Sequence, residues 1–127
     1  MPKKVLVIDD EEDFCKMVKL NLELSKDFKV ETAIDGENGI RAAKKIKPDI
    51  IILDLMMPKI SGFEVLETLK KDANTASIPV IILTAKEDYD SQPGEARLPR
   101  DRYLIKPIDA PTLRKKIEEI ITRKGAV

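Results

Sequence analysis

The chain has 127 residues, 43% hydrophobic and 36% charged, and its 23 basic residues balance its 23 acidic residues. This length suits one domain that buries a core without disulfides or structural metals. Because the formal net charge is zero, no overall field attracts nucleic acid or an anionic membrane, and we expect neither as a partner of this chain. The lack of histidine excludes serine–histidine triads and histidine-ligated zinc.

The single cysteine and the N-terminal sequence bear on the cellular compartment. Cys15 has no second cysteine with which to form an internal disulfide, and the first residues lack the charged, apolar and small-residue regions of a signal peptide. The apolar runs, such as residues 50–53, are far shorter than the roughly 20 residues that a membrane-spanning helix needs. We therefore expect a cytoplasmic protein.

Five short apolar runs predict β-strands. The runs at residues 5–8, 50–53, 80–83 and 103–105 do not alternate with polar residues, which is typical of strands covered on both faces. The run at residues 30–33 has polar neighbours, which indicate an edge strand.

Helical patterns separate these runs. Apolar residues recur at mostly three- or four-residue spacing in four stretches, which contain Phe14, Val18 and Leu22; Ile40, Ala43 and Ile46; Phe63, Leu66 and Leu69; and Leu113, Ile117, Ile120 and Ile121. Ser61 and Glu64 predict a capping box at the start of the third helix. Asp109, which precedes Ala110 and Pro111, predicts the N-cap of the last helix. Strands alternating with helices predict an α/β fold, a doubly wound parallel sheet with helices on both faces.

The interval between the fourth and fifth strands departs from this pattern. A helix is expected there, but Pro93, Gly94 and Pro99 interrupt it. We therefore predict a shortened or irregular fourth helix and a mobile segment at residues 88–101. The domain is expected to cover residues 1–124, and residues 125–127 to form a tail or the start of a linker.

Acidic residues stand where two of the strands end. Asp9 and Asp10 follow the first strand, and Asp54 ends the third. Ligands of open parallel sheets bind outside the carboxyl ends of the strands, where the strand order reverses. If the two strands are neighbours, the three carboxylates converge and raise one another's pKa unless a cation compensates. These oxygen ligands suit Mg²⁺; the alternative is that each acid is a solvated turn or helix-cap residue.

Two further polar residues stand at the same edge of the predicted sheet. Thr84 ends the fourth strand and Lys106 ends the fifth. An acyl phosphate on Asp54 would carry a charge near −2, and Mg²⁺, the lysine ammonium and the threonine hydroxyl could share that charge.

The segments "VLVIDDEE", "ILDLMMPKISG", "ILTA" and "YLIKP", in this order, resemble the receiver domain of bacterial two-component response regulators. The resemblance covers essentially the whole chain and implies a flavodoxin-like, five-stranded sheet of order 2-1-3-4-5. It also implies that Asp54 is the phosphoacceptor, which takes a phosphoryl group from a sensor histidine kinase, a phosphotransfer protein or a small phosphodonor. Asp9, Asp10 and Asp54 would bind Mg²⁺ together with the backbone carbonyl of Met56.

The resemblance assigns roles to four more residues. It implies that Thr84 moves toward the phosphoryl group, that Tyr103 changes from exposed to buried, that Ala85 supplies a small pocket rim, and that Pro107 is cis. The fourth helix, fifth strand and fifth helix would then signal to a protein target of unknown identity, and phosphorylation could drive homodimer formation. Self-phosphorylation and self-dephosphorylation would be the chain's own chemistry, without enzymatic turnover.

Two other functions remain open. The first is an interaction domain that keeps the fold but works without phosphorylation, an alternative supported by the interrupted fourth helix. The second is a metal-dependent phosphohydrolase with an aspartyl-phosphate intermediate. Such enzymes generally carry a second acid two residues after the nucleophile, where this chain has Met56.

Overall fold

The computed structural model describes residues 1–90 and 102–125. In chain order the elements are β1 (Lys3–Ile8), α1 (Glu12–Leu22), β2 (Phe28–Ala33), α2 (Gly36–Ile46), β3 (Ile50–Asp54), α3 (Gly62–Lys71), β4 (Val80–Thr84), α4 (Lys86–Asp90), β5 (Tyr103–Ile105) and α5 (Ala110–Gly125). All strand pairs are parallel, and the sheet has the order β2-β1-β3-β4-β5. The predicted fold class and strand order are confirmed.

Helices cover both faces of the sheet, which explains the uninterrupted apolar runs. Val5 and Ile50 belong to the core layer that also contains residues of α1 and α5, whereas Leu6 and Ile51 belong to the layer with residues of α2 and α3. Successive strand residues point to opposite faces, so each layer takes every second side chain. All four of these side chains are fully buried, and each contributes about 1.5–3 kcal/mol of transfer free energy.

The polar pattern of β2 follows from its position at the edge of the sheet. The Val30 N–H donates to a Glu23 carboxylate oxygen at 2.7 Å, and the Lys19 ammonium donates to the Val30 carbonyl at 2.7 Å. Lys19 and Glu23 also form an ion pair with each other at 3.2 Å. Side chains from α1 and its C-terminal end therefore satisfy backbone groups that a neighbouring strand would otherwise bond.

Side-chain caps fix the starts of two predicted helices. The Ser61 hydroxyl accepts a hydrogen bond from the Glu64 N–H at 3.3 Å, and a carboxylate oxygen of Asp109 accepts one from the Thr112 N–H at 2.7 Å. Each cap satisfies one of the backbone donors that the first helical turn leaves unpaired. The predicted N-terminal ends of α3 and α5 are confirmed.

The region after β4 is described only in part. The described part of α4 runs from Lys86 to Asp90, and residues 91–101, which include Pro93, Gly94 and Pro99, lie outside the described residues. Most of the segment predicted to be mobile falls there. α5 continues to Gly125, and residues 126–127 also lie outside the description. None of the helices within residues 1–90 and 102–125 is long and apolar enough to cross a membrane.

Candidate functional site

The three predicted acids converge at the carboxyl edge of the sheet. β1 pairs with β3 through Ile8 and Leu53, so Asp9 and Asp10 leave one strand beside Asp54 at the end of the other. One carboxylate oxygen from each acid lies within 4.8 Å of the others. Asp9 and Asp54 are buried, whereas Asp10 is exposed. The strand order reverses between β1 and β3, the position at which such sheets bind ligands.

Lys106 joins this cluster from the end of β5. Its ammonium nitrogen lies 2.8 Å from a carboxylate oxygen of Asp9, 2.7 Å from one of Glu11 and 3.8 Å from one of Asp54. The same nitrogen lies 4.8 Å from the centre of the Phe14 ring, on its face. The lysine is therefore held mainly by the β1–α1 segment and is within reach of Asp54.

Asp9 is held by several bonds in a fully buried position. One carboxylate oxygen accepts the Glu11 N–H at 2.9 Å, and the other accepts a bond from Lys106. The Cys15 thiol donates to the Asp9 carbonyl at 3.3 Å. Burial, with the nearby Asp9 charge, raises the pKa of Cys15 to about 11, so this thiol stays protonated at neutral pH and acts as a packing residue.

The acids carry more negative charge than Lys106 compensates. Burial and the charge of Asp9 raise the pKa of Asp54 to about 7, although Lys106 opposes the shift. Burial also raises the pKa of Asp9. For Lys106, burial would lower the pKa, but its hydrogen bonds to Asp9 and Glu11 outweigh this effect and raise the pKa above its ordinary value. A divalent cation with a preference for oxygen would relieve the excess charge, and three carboxylates fit such an ion.

The loop after Asp54 packs against the strand end through Gly62. The Gly62 N–H donates to the Leu55 carbonyl at 2.7 Å. A Cβ at position 62 would lie 2.3 Å from the Asp54 carbonyl oxygen and 2.8 Å from the Leu55 Cα, both backbone atoms. Glycine is therefore needed where α3 begins, and this close approach helps to fix the backbone that carries Asp54.

The structure also describes the surroundings of the remaining predicted residues. The buried Thr84 hydroxyl donates to the Ala85 carbonyl at 3.2 Å, and no hydrogen bond from it to the three acids is found within the described ranges. Tyr103 is half-buried against the layer formed with α2 and α3. The side chain of Met56 is 57% exposed. The peptide bond between Lys106 and Pro107 is cis, as expected.

Two neighbours of Lys106 were missed in the sequence. Glu11 and Phe14 both contact its ammonium group, although neither was assigned to the site. The signal for Glu11 was its position directly after Asp9 and Asp10 in "IDDEE". Phe14 gave no such signal, because its spacing with Val18 and Leu22 also fits an ordinary core position of α1.

Residues 5–118 match the family described as the response regulator receiver domain. The chain therefore belongs to this family, as the motifs and the fold together indicated. Its relatives include the protein PilH of Pseudomonas aeruginosa, which is 38% identical over 120 residues, with 93% of this chain and 97% of PilH covered.

Longer relatives and solved structures agree with this assignment. The DNA-binding dual master transcriptional regulator RpaA of Synechocystis is 37% identical over all 127 residues, but this chain spans only 52% of the length of RpaA. A crystal structure of a response regulator receiver domain protein from Clostridium thermocellum is 35% identical and superposes with a TM-score of 0.81, with 98% of each chain covered.

Proposed function

We propose that this chain is a phosphorylation-dependent signalling receiver in which Asp54 accepts a phosphoryl group from a sensor histidine kinase or a phosphotransfer protein. The observation that carries the proposal is the convergence of Asp9, Asp10 and Asp54, with the Lys106 ammonium 3.8 Å from an Asp54 oxygen. Such a site can both supply a nucleophilic carboxylate and balance the charge that arrives with a phosphoryl group. We place this function in the cytoplasm, where a single free cysteine is common.

The chemistry assigned to Asp54 is a phosphoryl transfer. An ionised Asp54 oxygen forms a bond to phosphorus while the bond from phosphorus to the donor histidine nitrogen breaks, and the electron pair stays on that nitrogen. Lys106 then needs to move only a short distance to bond the new phosphoryl oxygens. Positioning and charge balance account for most of the catalysis in reactions of this kind.

A metal ion belongs to this proposal because the donor set suits one. Asp9, Asp10 and Asp54 would hold Mg²⁺, with the backbone carbonyl of Met56 as a further ligand. When bound, Mg²⁺ would supply positive charge that favours ionisation of the acids and balances the phosphoryl group.

The output is assigned to the surface of α4, β5 and α5. Thr84 bonds the neighbouring Ala85 carbonyl in this structure, so its hydroxyl can exchange that acceptor for a phosphoryl oxygen. Tyr103, half-buried on β5, is the residue that would respond by becoming more buried. The recipient is a downstream protein of unknown identity or a second copy of this chain.

We expect one phosphoryl group to be added to the wild-type protein on incubation with acetyl phosphate and Mg²⁺, as measured by intact mass. Asp54→Asn, which keeps the shape of the side chain but removes the nucleophile, should give no adduct. Asp27→Asn is the matched control: it removes an exposed carboxylate near the start of β2, far from the site in the fold, and should leave the adduct unchanged.

The same reaction distinguishes the other two functions. A folded wild-type protein that gains no adduct from acetyl phosphate or from a cognate kinase would favour an interaction domain that works without phosphorylation. Release of many phosphate ions per chain from a phosphate ester would indicate a phosphohydrolase. A receiver instead consumes one phosphodonor for each phosphorylation of Asp54.

A further inference from the structure

We infer that Glu11 is a positioning residue that restrains Lys106 on the α1 side of the site and thereby slows phosphorylation of Asp54. This inference rests on the proposed function and adds a regulatory contact to the same site. The Lys106 ammonium is 2.7 Å from Glu11 but 3.8 Å from Asp54, so only the first of these distances is a hydrogen bond. Movement of the ammonium toward a phosphoryl group on Asp54 would lengthen its bond to Glu11.

Glu11 stands at the N-cap of α1, but its side chain bonds Lys106 instead of capping the helix. Glu11 is the N-cap residue of α1, where side chains commonly accept a backbone hydrogen bond, yet its side chain makes no cap bond. Its carboxylate instead bonds Lys106, which directly follows β5 and lies 95 positions away in the chain. This contact therefore does not contribute to capping α1.

A second group from α1 restrains the lysine in the same direction. The Phe14 ring lies 4.8 Å from the ammonium, a distance at which the ring face attracts a cation. Glu11 and Phe14 thus act from the first turn of α1 and its cap, whereas Asp54 lies at the end of β3. Of these two restraints, Glu11 can be removed with little harm to the fold because its side chain is 64% exposed.

The exposure of the Glu11 side chain determines how much the loss of its contact should change the phosphorylation rate. An ion pair with one largely exposed partner is screened by solvent and has a modest net strength. We therefore expect loss of the Glu11 contact to raise the rate constant for adduct formation about two- to fivefold.

Three variants separate the contact from a general change in charge. Glu11→Ala removes both the contact and the charge. Glu11→Asp keeps the charge but shortens the side chain by one methylene, and aspartate at an N-cap favours bonding the helix's own N–H groups. Glu12→Ala is the matched control, because it removes an exposed carboxylate at the adjacent position, and no contact of Glu12 with Lys106 is found among the described residues.

The test measures phosphorylation by acetyl phosphate at Mg²⁺ concentrations that saturate each variant. We expect Glu11→Ala and Glu11→Asp to react two- to fivefold faster than wild type, and Glu12→Ala to react at the wild-type rate. If Glu11→Asp matches wild type, or if Glu12→Ala accelerates as much as Glu11→Ala, the effect is one of charge alone and the inference is wrong. Slower reaction of both Glu11 variants would also overturn it.

A measurement on the metal-free, unphosphorylated protein keeps the inference separate from the proposed function. The ammonium protons of Lys106, observed by ¹H–¹⁵N NMR and assigned by their loss in Lys106→Met, should exchange with water several-fold faster in both Glu11 variants than in wild type. Unchanged exchange would show that Glu11 does not hold the lysine in solution. Failure of the wild type to form an adduct, with faster exchange in the variants, would refute the proposed function but leave the contact established.

Discussion

Replacing Asp54 with asparagine is expected to raise the free energy of unfolding of the metal-free protein by about 2–4 kcal/mol at pH 8. The pKa of Asp54 is 3.8 in an unfolded reference and about 7 in the folded protein, and each pKa unit corresponds to about 1.4 kcal/mol. At pH 8 the wild-type protein must keep this buried carboxylate ionised beside Asp9. Asparagine has nearly the same shape and carries no charge, so the variant does not bear the free-energy cost of an ionised, buried carboxylate.

The raised pKa of Asp54 also sets the direction in which the unfolding free energy changes with pH. Between pH 4 and pH 7 the folded protein binds the Asp54 proton while the unfolded chain has released it, so wild-type stability from this group falls as the pH rises through that window. The difference in unfolding free energy between Asp54→Asn and wild type should therefore grow from pH 4 to pH 7 and then level off. Subtracting the wild-type unfolding free energy from that of Asp54→Asn cancels the contribution of groups that titrate in both proteins. Asp35 is one such group, and its pKa is lowered by a backbone hydrogen bond from Asn38.

Urea unfolding followed by circular dichroism, in the presence of a chelator, measures this difference. Asp27→Asn should follow the wild-type curve. Mg²⁺ added at pH 8 should stabilise wild type more than Asp54→Asn, because a ligand that binds only the folded state stabilises it. Equal stability of wild type and Asp54→Asn at pH 8 without metal would falsify the assignment of a costly buried charge to Asp54.

Replacing Gly62 with alanine is expected to destabilise the protein by about 3 kcal/mol or more, the upper end of the range for overpacking. The new Cβ would lie 2.3 Å from the Asp54 carbonyl oxygen and 2.8 Å from the Leu55 Cα. These are backbone atoms of β3 and its end, so the strain cannot be relieved by rotating a side chain. The loop or the strand end must move, and Asp54 moves with it.

Gly36→Ala provides a matched comparison. Gly36 also begins a helix after a capping residue, and its new Cβ would approach atoms of Ile60 and Val65 within 3 Å. Those atoms belong to side chains, and Ile60 is only partly buried, so repacking is cheaper and we expect a loss of about 1–2 kcal/mol. Thermal unfolding of the two variants measures these losses of stability. Phosphorylation by acetyl phosphate, at a temperature where both variants are folded, tests whether Asp54 has moved. A smaller loss of unfolding free energy for Gly62→Ala than for Gly36→Ala would contradict the proposed clash with backbone atoms.

Much of the fold could be predicted because its signals are local. Runs of apolar residues at 5–8 and 50–53 predicted two-sided strands, and the structure places alternate residues of each run in opposite core layers. Ser61 and Asp109 predicted helix starts because capping depends on residues only three positions apart. The convergence of Asp9, Asp10 and Asp54 followed from a rule of parallel sheets, once the two strands were taken as neighbours.

The sequence by itself determined the five strands, four of the helices, the family and the identity of the acids at the strand ends, because these depend on periodicity, capping and short motifs. Only the tertiary structure decided which partners Lys106 selects. Its ammonium is closer to Glu11 and Asp9 than to Asp54, and such a preference depends on distances between residues almost 100 positions apart. It also decided that Asp54 is buried deeply enough for its pKa to reach about 7, because desolvation depends on everything packed around a group and not on its neighbours in the chain.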